Sequence, residues 1–168
     1  MKLLFVCTGN TCRSPLAEAI GRREAIERGL DVEVESAGTS AWDGAPASDG
    51  SLLIALERHL DLSNHHARQL TTDLVREADL ILAMGAQHLE RIHALGGAGK
   101  SAMLTSYAHD GKDDSPVSDP FGGDLATYRA TADELAGHIR LVFDRLIRDR
   151  AATSACRATR RSTGGSYC

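Results

Sequence analysis

Leu3-Leu4-Phe5-Val6-Cys7-Thr8-Gly9-Asn10-Thr11-Cys12-Arg13-Ser14-Pro15-Leu16-Ala17-Glu18 is the stretch that decides how this chain is read. Leu3 to Val6 is a short apolar run of the kind that forms a buried strand, and from Pro15 a helical pattern begins that Gly29 ends. Between strand and helix, a cysteine and an arginine are separated by five residues. A helix N-terminus carries unpaired backbone N–H groups and the positive end of the helix dipole, so it holds oxyanions such as phosphate. Gly9 lets the loop curl with its amides inward, and Asn10 tolerates a left-handed backbone. The planar fork of Arg13 can grip two phosphate oxygens. Cys7 closes the ring from the strand side, with its sulfur under the phosphorus, and the same positive field favours the thiolate. Ser14 can add a hydroxyl hydrogen bond to that thiolate. Attack at phosphorus would give a phosphocysteine intermediate.

The composition narrows the setting. The chain has 168 residues and a net charge of −4 with no basic stripe, so one domain is expected and nucleic acid is not an expected partner. No apolar run approaches the ~20 residues of a membrane span. The segment before Cys7 is too short for a signal-peptide core, which points to a cytoplasmic protein. Two of the four cysteines sit in the loop, and the others are Cys156 and Cys168; a reducing compartment fits this better than a disulfide scaffold. Residues 1–150 read as the domain, and 151–168, rich in Ser, Thr, Gly and Arg, as a disordered tail.

Strand and helix patterns alternate along the domain. Strands are expected at 2–6, 32–36, 79–83 and 102–105. Helices are expected at 15–28, with Ser14 as cap and Pro15 in first position, and at 49–59, with Leu52, Leu53, Leu56 and Leu60 on one side. A short helix capped by Thr71 or Thr72 should end at Glu77, and another should span 86–95. The longest runs from Asp124 to about Arg148, with Leu125, Tyr128, Ala132, Leu135, Ile139, Val142, Phe143 and Leu146 at near-helical spacing. This predicts an α/β three-layer sandwich, a four-stranded parallel sheet with helices on both faces. Ligands of such sheets bind beyond the strand C-termini where the strand order reverses, which is where Cys7 falls.

Breaking a bond to phosphorus leaves a group that needs a proton, hence a general acid. Asp110, Asp113, Asp114, Asp119 and Asp124 are available. Asp119 stands out because Pro120 stiffens the turn and Phe121 offers an apolar wall against its carboxyl group; Asp114 is the second choice. Trp42 reads as the wall opposite Phe121, with a partly buried anchor as the alternative. His66 reads as exposed. A zinc site at Cys7 and Cys12 lacks a second ligand pair at matching spacing, and no metal or other cofactor is expected.

The loop, together with Ser36-Ala37-Gly38-Thr39, His65-His66-Ala67-Arg68-Gln69-Leu70, Ala78 to Met84 and Asp119-Pro120-Phe121, resembles the low-molecular-weight protein tyrosine phosphatase family over residues 2 to about 148. The resemblance implies a protein phosphatase acting on phosphorylated proteins, with Asp119 first as acid and then as the base that activates water. It implies that His65 joins Asn10, Ser14 and Ser36 in a hydrogen-bond network beneath the loop. Cys12 is either packing or, as the resemblance suggests, a reversible disulfide partner that protects Cys7 from over-oxidation. Tyrosine-specific members of the family often carry a branched apolar residue where this chain has Thr11. An unpaired hydroxyl against a phenyl ring costs about 1–3 kcal/mol, whereas a phosphorylated guanidinium offers N–H donors. With Cys7 to Ser14 and Asp119 to Gly123, the chain resembles the protein arginine phosphatase branch, so phosphoarginine is the expected substrate and phosphotyrosine the alternative. An arsenate reductase of this fold would need two further cysteines, and none occurs between Cys12 and Cys156. A non-catalytic phosphopeptide-binding module would not need both Cys7 and Asp119.

Overall fold

Six residues of strand lead into the loop from Cys7 to Ser14: β1 (Lys2–Cys7) is followed by α1 (Arg13–Glu27), β2 (Glu33–Gly38), α2 (Asp49–Glu57), α3 (Thr72–Glu77), β3 (Leu80–Ala83), α4 (Ala86–Ala94), β4 (Ser101–Met103), α5 (Leu104–Ala108) and α6 (Leu125–Thr163). The computed structural model describes residues 1–163, and side chains as far as residue 152. All strand pairs are parallel and the order is β2-β1-β3-β4. From β1 the chain therefore proceeds to one side and then to the other, and the reversal falls between β1 and β3. Cys7 ends β1 at that point.

Alternation along β1 divides the core into two layers. Leu3, Phe5 and Cys7 face α1 and α6, and share that layer with Leu16, Ile20, Leu135, Ile139 and Phe143. Leu4 and Val6 point the other way, to Val75 of α3 and Ile92 of α4. Helices thus cover both faces of the sheet. The expected core stripe of α6 is correct, with Ala132, Leu135, Ile139, Val142 and Phe143 fully buried. Among the described residues no helix is long and apolar enough to cross a membrane.

Four local expectations change. Ser14 is not the cap of α1: the helix starts at Arg13 behind Cys12, which makes no side-chain cap, so Pro15 is its third residue. The Ser14 hydroxyl instead lies against Cys7, its Oγ 3.0 Å from Cys7 Sγ. In α2 the buried residues are Ser51, Ile54 and Ala55, whereas Leu53 and Leu56 are 51% and 72% exposed. Both sets have helical spacing; the close approach of α6 selects the first, because a Cβ at Gly50 would lie 2.7 Å from the Tyr128 ring. α5 was not foreseen, since five residues are too few to show a period. The long helix was expected to end near Arg148 and leave 151–168 as tail, yet α6 continues to Thr163. Ala151, Ala152, Ala155, Arg157 and Ala158 favour helix without needing an apolar face. Residues 164–168, Cys168 among them, lie outside the described residues, as does the side chain of Cys156.

Phe143 carries no exposed surface and joins α6 to the sheet. Phe143→Ala should cost about 3–5 kcal/mol, read as a lower urea midpoint with an unchanged slope.

Candidate active site

The loop from Cys7 to Ser14 is held in shape by Asn10. Asn10 is fully buried and sits in the left-handed region at φ 54°. Its Nδ2 donates to Ser14 Oγ (2.9 Å) and Ser36 Oγ (2.8 Å), and its Oδ1 accepts from the Arg68 N–H (2.9 Å). His65 Nε2 donates to the Asn10 carbonyl at 2.7 Å. Ser36 in turn donates to the nearly buried Glu18 carboxylate. Asn10, Ser14, Ser36 and His65 therefore form one network beneath the loop.

That network reaches the sulfur. Ser14 Oγ lies 3.0 Å from Cys7 Sγ. Cys7 is 3% exposed, so anything that meets the sulfur enters through the loop itself. β2 presses on the loop from the side: Ser40 N–H donates to the Thr8 carbonyl, and a Cβ on Gly38 would lie 2.5 Å from that carbonyl oxygen and 2.9 Å from Asn10 N. Only glycine fits there.

Arg13, 5% exposed, donates to the Val117 carbonyl (3.2 Å) and to Asp119 Oδ2 (2.7 Å). Asp119 Oδ1 accepts from the Phe121 N–H at 3.1 Å, an Asp-Pro turn that fixes the carboxylate. The Val117 N–H donates to the Met84 carbonyl at 2.9 Å, which ties this loop to the end of β3. A thiol, a guanidinium and a carboxylate thus converge at the C-terminal edge of β1 and β3, although Arg13 and Asp119 are 106 residues apart.

Comparison with known proteins agrees with this geometry. The model of the family described as low molecular weight phosphotyrosine protein phosphatase matches residues 2–152. The chain belongs to that family. A protein-arginine-phosphatase of Bacillus subtilis is 39% identical over 150 residues, which is 89% of this chain and 99% of that protein. The low molecular weight protein-tyrosine-phosphatase PtpB of Staphylococcus haemolyticus is 36% identical over 136 residues, 80% of this chain and 92% of that protein. Among solved structures, a YwlE arginine phosphatase mutant with a phosphorylated active-site serine in place of cysteine superposes with a TM-score of 0.84 at 39% identity, covering 90% of this chain and 99% of that one.

In this phosphatase the remaining candidates are distributed as follows. Thr11 is half-buried, with Oγ1 3.7 Å from Cys12 Sγ. Cys12 is buried, and its sulfur lies 3.3 Å from Ser48 Oγ and 3.4 Å from the Tyr128 hydroxyl. Trp42 and Phe121 are 83% and 82% exposed. Phe121 therefore does not bury Asp119, whose side chain is itself half exposed and is governed by its pairing with Arg13. This corrects the expectation of an apolar shield. His66 is exposed, as expected. Among the described residues no cluster of three or more His, Cys, Asp or Glu side chains could hold a metal ion.

His88 was missed. It is fully buried, and its Nε2 lies 2.8 Å from Thr8 Oγ1. A single histidine one turn into a helix gives no sequence signal; only the packing of α4 brings it to the loop. Burial first, and the nearby Arg13 charge second, push its pKa down to about 4, with Asp119 opposing. An unfolded histidine titrates near 6.5, so the unfolded chain gains a proton that the native state refuses. Stability should therefore fall as pH drops from about 6.5 to 4, by up to about 3 kcal/mol from this group. Urea midpoints measured across that window should fall less steeply in His88→Gln than in the parent; identical slopes would remove His88 from the account.

Proposed function

We propose that this phosphatase removes phosphate from phosphoarginine in proteins, in two steps. The Cys7 thiolate attacks phosphorus and an S–P bond forms as the P–N bond breaks. Arg13 and the loop amides stabilise the equatorial oxygens, and Asp119, which takes up a proton from solvent once it has left Arg13, gives that proton to the departing nitrogen. Asp119, now a carboxylate, takes a proton from water. The hydroxide attacks the phosphocysteine, the S–P bond breaks, and phosphate leaves with the thiolate restored. Thr8, Gly9, Asn10, Thr11, Cys12 and Ser14 complete the phosphate-binding loop. Ser36 and His65 keep it in shape, Trp42 and Phe121 flank the substrate, and Cys12 is the reversible disulfide partner that shields Cys7. The positive charge required comes from Arg13 and the amides, so no metal has a place in either step. Two loop thiols that must stay reduced for turnover favour a cytoplasmic setting.

The observation that carries this reading is the Arg13–Asp119 bond at 2.7 Å beside the Cys7 loop. A phosphoryl dianion entering the loop takes over the guanidinium and releases Asp119 toward the leaving atom. The arginine preference is supported by the hydroxyl of Thr11 at the site and by the arginine phosphatases among the relatives. The tyrosine phosphatases among them favour phosphotyrosine as the second reading.

Four measurements test the proposal. Cys7→Ser should lose turnover while retaining phosphate binding, and appreciable residual activity would remove Cys7 as nucleophile. Asp119→Asn should lower kcat about 10²–10⁴-fold on substrates with poor leaving groups and less on good ones. Phosphoarginine and phosphotyrosine peptides should be compared in the parent and in Thr11→Ile. The parent should prefer phosphoarginine and the variant should shift toward phosphotyrosine. A parent that prefers phosphotyrosine, with no change in the variant, rejects the arginine reading. EDTA should leave activity intact.

A further inference from the structure

β3 ends beside β1, with Ala83 opposite Val6, and the Met84 N–H donates to the Val6 carbonyl at 2.9 Å. The chain then turns into α4, whose first turn brings His88 against the start of the phosphate loop. His88 carries no exposed surface, yet its ring makes one hydrogen bond, from Nε2 to Thr8 Oγ1 at 2.8 Å. Nδ1 is buried with no partner among the described residues. Thr8 itself is exposed. Its hydroxyl therefore links a buried ring to an exposed residue that directly follows Cys7 in sequence.

We propose that His88 is a positioning residue that fixes the Thr8 hydroxyl as an O–H donor to a phosphoryl oxygen of the substrate. Burial and the Arg13 cation hold the ring's pKa at about 4, so the imidazole is neutral near pH 7. A neutral ring has one proton for two nitrogens. On Nδ1 that proton would be an orphaned buried N–H, a defect that folded proteins avoid more strictly than an unfilled lone pair. The proton therefore sits on Nε2 and is donated to Thr8 Oγ1. An oxygen that accepts from His88 points its own hydrogen elsewhere, and on an exposed residue next to Cys7 that hydrogen is free to meet a bound phosphoryl oxygen. A donor set in place before the substrate arrives needs no reorganisation when charge builds on the phosphoryl oxygens. A neutral ring adds no charge to compete with Arg13. This proposal rests on the phosphoryl-transfer reading above and is indifferent to the choice between arginine and tyrosine.

The test is a double-mutant cycle with conservative rescues. Thr8→Val removes the hydroxyl and Thr8→Ser keeps it. His88→Gln carries an amide N–H to about where Nε2 sits, whereas His88→Asn stops at about the place of Nδ1. All four variants are neutral at pH 7. Two quantities are read: kcat and KM on a phosphopeptide, and the affinity for inorganic phosphate from its protection of Cys7 against iodoacetate. Thr8→Val and His88→Asn should each lower kcat about tenfold, with a smaller change in KM and weaker phosphate protection. The double variant should lose no more than either single one, and Thr8→Ser and His88→Gln should recover most of the loss. Losses that multiply in the double variant, or a Thr8→Val enzyme with the parent's kcat, overturn the proposal. If His88→Asn does not fold, the Thr8→Val, Thr8→Ser and His88→Gln enzymes decide alone by the same criteria. A parent without turnover whose phosphate protection still follows this coupled pattern would reject the functional reading and support the His88–Thr8 pair.

Discussion

Asn10, buried and left-handed, is the constraint on which the site depends. An inward-facing ring of amides needs one residue beyond the ordinary backbone regions, and a buried carboxamide there must find partners for both its ends. Those partners come from three places: Ser14 in α1, Ser36 in β2, and the segment holding His65 and Arg68. That segment is itself pinned to the sheet, where Gly38 bridges to Gln69. The phosphate loop is thus an extension of the core. Its shape is set by strand pairing as much as by its own residues.

Charge is arranged under the same constraint. A guanidinium as buried as Arg13 is costly without a counter-charge, and in the free enzyme Asp119 and the Val117 carbonyl supply the compensation. The group that stabilises the free state is also the proposed acid, so in the proposed mechanism phosphoryl binding would exchange one anion for another on Arg13 and free Asp119 beside the leaving group. Two neighbouring strands make the exchange possible. β1 presents Cys7, and the end of β3 anchors Val117 through Met84.

Much of this was legible in the chain. The loop could be read because its chemistry is contiguous: thiol, left-handed turn, cation and hydroxyl lie within eight residues. The stripe of α6 could be read because a long helix repeats its period enough times to be distinguished from chance. Where the signal was short or ambiguous the reading failed. α2 has two sets of residues with helical spacing, and only its contact with Tyr128 chooses between them. Ser14 has the chemistry of a cap, but the sulfur of Cys7 has the stronger claim on its hydroxyl. Phe121 looked like a shield for Asp119 because it is adjacent in sequence, yet it faces solvent.

The sequence by itself determined the family, the parallel α/β sandwich and the contiguous loop from Cys7 to Ser14, because each of these is encoded in local order and periodicity. Only the tertiary structure decided which partners complete them. It paired Asp119 with Arg13, placed Ser36, His65 and Arg68 around Asn10, and brought His88 to Thr8. These contacts join residues 26 to 106 positions apart, and such distances are closed by strand order and helix packing, which leave no periodic mark in the chain.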